Sequence, residues 1–143
     1  MVELYQFDIP VEGHKELGAV GHFVGVIRTD WMSDGNGDRS MRLVLDAFYI
    51  DDSSREWKAP AGSIVDGASI PKFFWRLLGS PYCGDYRVAS VFHDVACVNK
   101  RRPWQTVHRM FNGAMRDCGV RMWKRLLIFW AVWCFGPRWK VKG

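Results

Sequence analysis

Acidic residues are scarce in the second half of this sequence: residues 61 to 143 hold only Asp66, Asp85, Asp94 and Asp117 against fourteen Lys and Arg. That half carries a net charge of +10, while residues 1 to 60, with six basic and eleven acidic side chains, carry −5. Such a basic half can draw an anionic partner, whether nucleic acid, phospholipid or an acidic protein, and charge alone does not choose among them. Cysteine is scarce as well. Cys83, Cys97, Cys118 and Cys134 stand far apart with no CxxC pair, which excludes a disulfide scaffold and predicts reduced, buried thiols. Long hydrophobic runs are missing: LLIFWAVWCF (Leu126 to Phe135) has ten residues, where a bilayer span needs roughly twenty. The start, MVELYQFDIPVEGHKELGAVGH, has no basic stretch followed by an apolar one, so no secretory signal is expected. GxGxxG, GxxxxGK, zinc-finger spacing and RNP-like aromatic strands are also missing, which makes nucleic acid an unexpected partner.

What is present suffices for a folded core. The chain has 143 residues, 48% of them hydrophobic and 15% aromatic, enough apolar surface to offset the entropy of ordering one domain. A single domain is expected over 1–143: β-rich to about residue 67, helical from 69 to 136, and a basic tail from 137. GHFVGVIRTDW (Gly21 to Trp31) and MRLVLDAFYID (Met41 to Asp51) are rich in β-branched and aromatic residues. Between them SDGNGD (Ser33 to Asp38) collects residues that accept positive φ, a hairpin signal. REWKAPAGSIVDG (Arg55 to Gly67) reads as an edge strand interrupted by Pro60 and Gly62.

The period changes after Ser69, whose hydroxyl can cap a helix from about Ile70 to Leu78 with Pro71 in its first turn. Val88, Val91, Phe92, Val95 and Val98 recur at helical spacing from Asp85 to about Asn99. A basic turn, Lys100-Arg101-Arg102-Pro103, leads to a third helix lined by Val107, Met110, Phe111, Ala114 and Cys118 and ending at Gly119. The last helix, Val120 to Phe135, is expected to pack on the sheet and to end at a left-handed Gly136 before Pro137. Its flanking Arg121, Lys124, Arg125, Arg138 and Lys140, with Trp123, Trp130, Trp133 and Trp139, also suit contact of 120–139 with a membrane surface or a partner protein. The basic tail WKVKG (Trp139 to Gly143) is expected to fray.

Two of the four acids lie in chemically suggestive surroundings. Asp66 opens VDGASIP at a strand-to-helix corner, and Asp94 follows His93 inside an apolar helix, where an unpaired charge is costly. Neighbours on a helix stand about 100° apart, so His93 and Asp94 can approach one ion from two sides, with Asp66 and His108 to complete the shell. Such a set suits zinc or manganese and the activation of water for hydrolysis. Metal-free acid–base chemistry is the second reading, with Ser69 or Cys97 as a nucleophile beside His93; Cys97 follows His93 by one helical turn but sits like a core thiol. A purely structural hydrogen-bond network stands against both, and spacing alone does not choose among the three.

The order WKAPAGSIVDGASIPKFFWRLLGSP, YRVASVFHDVACV, VHRMFNGAMRDCGV and a Trp-rich last helix ending in FG resembles domain-of-unknown-function family 1353, frequent in bacteriophages and prophages. PAG, DGASIP and HD, in that order, carry the resemblance over roughly Val44 to Trp139. It implies a phage or prophage setting, in the host cytoplasm or the virion, and no particular mechanism. The family pattern has an acidic residue after HD in a context like ADRIF, where this chain has VHRMF and so His108. Exchange of carboxylate for imidazole keeps metal-ligand capacity. The expected fold is α+β, an N-terminal antiparallel sheet of three to five strands packed by three or four C-terminal helices. The expected function is a phage-encoded, metal-dependent, hydrolase-like activity, cell-wall or peptide directed, using Asp66, Ser69, His93, Asp94 and His108. The competing expectation is a non-enzymatic virion, tail or assembly component that binds other phage proteins through its basic aromatic face.

Overall fold

The computed structural model describes residues 5–10, 21–24, 26–33, 39–65, 76 and 86–141. Among these residues seven strands come first: β1 (Tyr5–Pro10), β2 (His22–Val24), β3 (Val26–Ser33), β4 (Arg39–Leu43), β5 (Ala47–Ile50), β6 (Glu56–Ala59) and β7 (Ile64–Val65). The helices described after them are α1 (Arg87–Asn99), α2 (Trp104–Asp117) and α3 (Met122–Phe135). The α+β expectation holds. The expected helix from Ile70 to Leu78, with its Ser69 cap, lies outside the described residues except for Arg76, which is helical.

In place of one sheet the strands form two, in the orders β1-β3-β4-β7 and β2-β5-β6, with every pair antiparallel. Each apolar run of the sequence is divided between them: 21–31 supplies β2 and β3, 41–51 supplies β4 and β5, and 55–67 supplies β6 and β7. Backbone chemistry explains the corners. After β6, Pro60 has no N–H for a ladder, Ser63 N–H turns back to the Pro60 carbonyl at 3.1 Å, and Gly62 N–H reaches Leu43 O at 2.7 Å, inside the other sheet. Between β4 and β5, Val44 N–H donates to Arg28 O at 2.9 Å, and Asp46 Oδ1 accepts Ala61 N–H at 2.7 Å. The hairpin expected at SDGNGD is borne out by the β3–β4 register, which closes on Ser33 opposite Arg39.

Alternation along the strands sends Ile27, Met41, Leu43, Tyr49, Trp57 and Val65 into one core with Phe92, Phe111 and Met115 of the helices. Phe23, Tyr49 and Phe92 meet as rings with centroids 4.7 to 6.0 Å apart, joining the smaller sheet to α1. Tyr49 Oη also donates to Asp117 Oδ2 at 2.5 Å, and Arg116 Nε donates to Asp117 Oδ1 at 3.2 Å. This clamp ties the sheet to the end of α2. Burial first, then Asp117, pushes the Tyr49 hydroxyl far above its ordinary value, so it remains a donor.

Every residue of α1 from Ala89 to Cys97 is buried, so this helix is core all round. It ends at Lys100, whose φ of 54° starts the turn into α2. At the end of α2, Gly119 (φ 82°) donates to Arg116 O and Val120 donates to Met115 O, a paired closure that needs the left-handed glycine. The last helix departs from expectation. It packs on α2, burying Ile128, Ala131 and Val132, and it leaves Trp123, Leu126 and Trp130 exposed instead of seating them on a sheet already covered by α1. Gly136 is extended (φ −74°, ψ 171°), not left-handed; glycine is needed there because a Cβ would run into the Val132 carbonyl. Nor are all the thiols buried: Cys97 is, Cys118 is half-buried and Cys134 is exposed, while Cys83 lies outside the described residues.

Candidate metal centre

The four-residue turn 100–103 folds α2 back on α1, which brings together two histidines fifteen residues apart. His93 Nε2 and His108 Nδ1 are 2.9 Å apart, and Cys97 Sγ, one turn after His93 on α1, is 3.7 Å from the same Nε2. Nε2, Nδ1 and Sγ all lie within 4.8 Å of one another, and the three residues are buried. His93 stacks on Phe111 with centroids 4.3 Å apart and planes 19° from parallel. His108 stands among Trp104, Trp133 and Trp139, at centroid distances of 5.4, 6.4 and 6.3 Å. It is fully buried.

Pro137 to Trp139 form a strap over this pair, and of these only Trp139 belongs to the tail expected to fray. Pro137 O lies 3.1 Å from His108 Nε2. Arg138 places its guanidinium 4.9 Å from the Trp104 ring centre and donates to Trp133 O at 2.9 Å, and Trp139 Nε1 donates to Arg102 O at 2.9 Å. Ring packing and hydrogen bonds hold the segment through Trp139.

These contacts assign the protons. A carbonyl only accepts, so His108 Nε2 carries the hydrogen and donates to Pro137 O; in the neutral ring Nδ1 is then the acceptor, and His93 Nε2–H donates to it. Both rings are neutral. Burial, and then the neighbouring His108, holds His93 well below the ordinary imidazole value. Burial likewise lowers His108 to about 4; the Pro137 hydrogen bond works against this and the Arg138 charge adds to it.

Two imidazoles and a thiolate can hold zinc. Bonds of roughly 2.0 to 2.3 Å in a tetrahedron put ligand atoms about 3.3 Å apart or more, so the His pair, now at 2.9 Å, would have to open by about 0.4 Å to hold the ion. With zinc bound, His108 would keep its Nε2–H on Pro137 O as an outer partner, while His93 would carry its proton on Nδ1, 4.0 Å from Asp94 Oδ1 and beyond direct hydrogen-bond reach. Asp94, expected as a ligand, is buried on this Nδ1 side of the ring, opposite the Nε2 that meets His108 and Cys97. Asp66 and Ser69 lie outside the described residues. Cys97 was passed over as a core thiol; its signal was the one-turn spacing from His93.

The family model described as protein of unknown function (DUF1353) matches residues 41–132, more than half the chain and all three members of the cluster. The chain belongs to this family. Two relatives come from Sinorhizobium fredii: uncharacterized protein y4jT is 42% identical over 100 residues, 70% of this chain and 30% of the relative. Uncharacterized protein y4iH is 38% identical over 104 residues, 72% of this chain and 44% of the relative. The chain thus spans less than half the length of either relative. No solved structure matches. The family match ends before Pro137, so the strap that orients His108 lies outside it.

Proposed function

We propose that this member of the family binds one zinc ion through His93, Cys97 and His108, and that the ion activates water for hydrolysis. The convergence of three ligand atoms within 4.8 Å from two helices carries the reading. A thiolate in the set favours zinc over manganese, because soft sulfur ligands select zinc while manganese prefers oxygen. Three protein ligands leave the fourth tetrahedral position for water, the ligand count of catalytic zinc sites. Asp66 and Ser69 enter on sequence grounds alone, as general base and neighbouring hydroxyl. A peptide or cell-wall amide is the substrate class we propose, from the phage setting that the family resemblance implies.

Elemental analysis of the purified chain tests the reading. Stoichiometric zinc is expected, and it is lost in His93→Ala, Cys97→Ser and His108→Ala while far-ultraviolet circular dichroism still shows a folded chain. Protein that stays metal-free after incubation with zinc overturns the proposal and leaves the non-enzymatic virion or assembly role. Zinc that survives His108→Ala overturns the assigned ligand set.

A further inference from the structure

Arg109 of α2 and Arg138 of the strap are both exposed, and both close on Trp133 of α3. Arg138 Nη2 donates to Trp133 O at 2.9 Å, and Arg109 Cζ lies 5.4 Å from the Trp133 ring centre. The Arg138 guanidinium also covers Trp104 at 4.9 Å, and the Trp104 and Trp133 ring centres are themselves 4.9 Å apart. A guanidinium stacked on an indole engages its face and keeps its N–H edge for an acceptor in its own plane. Acids do not compete for those edges. Among the described residues neither arginine is in an ion pair. From Val95 to Gly143 the sequence has one acid, Asp117, and it is engaged by Tyr49 Oη and Arg116 Nε.

We propose that Arg109 and Arg138 bind a phosphate group, free or as a monoester, beside the Trp104–Trp133 pair. Two guanidiniums match the charge of about −1.5 to −2 that a phosphate monoester carries near pH 7. Their forks suit its oxygens, which accept two parallel N–H bonds from each arginine. A carboxylate has the same hydrogen-bonding capacity but a single charge, and it leaves the second guanidinium uncompensated. The rings have already taken rotamer freedom from both side chains, so less is lost when the anion arrives. Arg138 follows Pro137, whose carbonyl holds His108, and the phosphate site therefore shares its strap with the histidine pair. It uses none of the metal-ligand atoms, and the inference is independent of the zinc reading.

Calorimetric titration of the full chain, in chelator and at fixed ionic strength, tests it. Inorganic phosphate is expected to saturate with a dissociation constant of about 1 mM or below, as two charge-assisted contacts allow. Acetate is expected to bind about tenfold or more weakly, because it meets the same two charges with one of its own. Phenyl phosphate separates the sources of the group: tighter binding than inorganic phosphate assigns the site to a monoester, and otherwise it serves free phosphate. Arg109→Gln and Arg138→Gln each weaken phosphate about tenfold or more. Arg121→Gln removes the same charge about 18 Å away along α3, beyond the screening length of about 8 to 10 Å, and leaves binding within about two-fold. Arg109 is in no hydrogen bond of the strap, so its variant reads the site without loosening the segment, and an unchanged melting temperature confirms its fold. The proposal is overturned if phosphate does not saturate below about 10 mM, or if Arg109→Gln binds it like the parent. Acetate binding as tightly as phosphate, or an equal loss in Arg121→Gln, also overturns it.

Discussion

Zinc uptake at pH 6 should release close to one proton per ion. The number follows from the hydrogen-bond chain: His108 is neutral and keeps its Nε2–H on Pro137 O, while His93 is neutral and moves its proton from Nε2 to Nδ1. Neither imidazole loses a proton to solvent, so only the Cys97 thiol does. A pair of solvated histidines with ordinary values near 6.5 would each be about three-quarters protonated at pH 6, and with a thiol the same ligand set would release about 2.5 protons. The depressed values of His93, and of His108 at about 4, separate the two outcomes by more than a proton. Calorimetric titration in two buffers of different ionisation enthalpy reads the count directly. Cys97→Ser, which loses the ion, should abolish the binding heat altogether. Release of two or more protons at pH 6 would refute the neutral, preorganised pair.

Acid stability of the metal-free chain checks the same histidines by another route. The folded His108 value lies below the unfolded one, so its contribution is present above about pH 6.5 and is lost as pH falls toward about 4, by about 3 kcal/mol in all. Urea melts in chelator at pH 7 and pH 4 should show the loss, and equal midpoints would contradict it. Tyr49→Phe removes a buried hydrogen bond to a carboxylate and should cost about 2 kcal/mol. With about 0.3 kcal/mol per degree of unfolding entropy for a chain of this length, that is a melting point lower by about 7 °C. A shift under about 2 °C would show that the clamp contributes little. Trp139→Ala frees the strap from Arg102 and should weaken zinc binding about tenfold or more by loosening the Pro137 carbonyl; unchanged affinity in a competition assay would remove the strap from the site.

Local patterns were legible wherever one residue type carried one local meaning. The helical period from Val88 to Val98 placed α1, Gly119 marked the end of α2, and the residues between β3 and β4 announced their hairpin. What sequence did not disclose was non-local. Alternation tells which face of a strand is buried but not which sheet the strand joins, so three apolar runs read as three strands when each bends at a corner into two. The same limit applied at the site. His93 and His108 were legible as a pair, and Asp94 was grouped with them by adjacency alone, although the ring presents its other nitrogen to Cys97 and His108. The apolar content of α3 suggested a core helix; the count of apolar residues cannot show that α1 already covers the sheets.

The Pro137 carbonyl stands 29 residues after His108, and this separation orders the assembly of the pair in time. A nascent chain synthesised as far as α2 already contains all three ligand side chains, yet nothing in it fixes which nitrogen of His108 carries the proton. At roughly 5 to 20 residues per second, the ribosome adds the strap a few seconds later. Until then the imidazole can adopt either tautomer and the chain presents a loose thiol and two rings to whatever ion is at hand; afterwards the carbonyl selects the form with a free Nδ1. The tautomer of the finished pair is therefore set by a backbone oxygen that reaches it last.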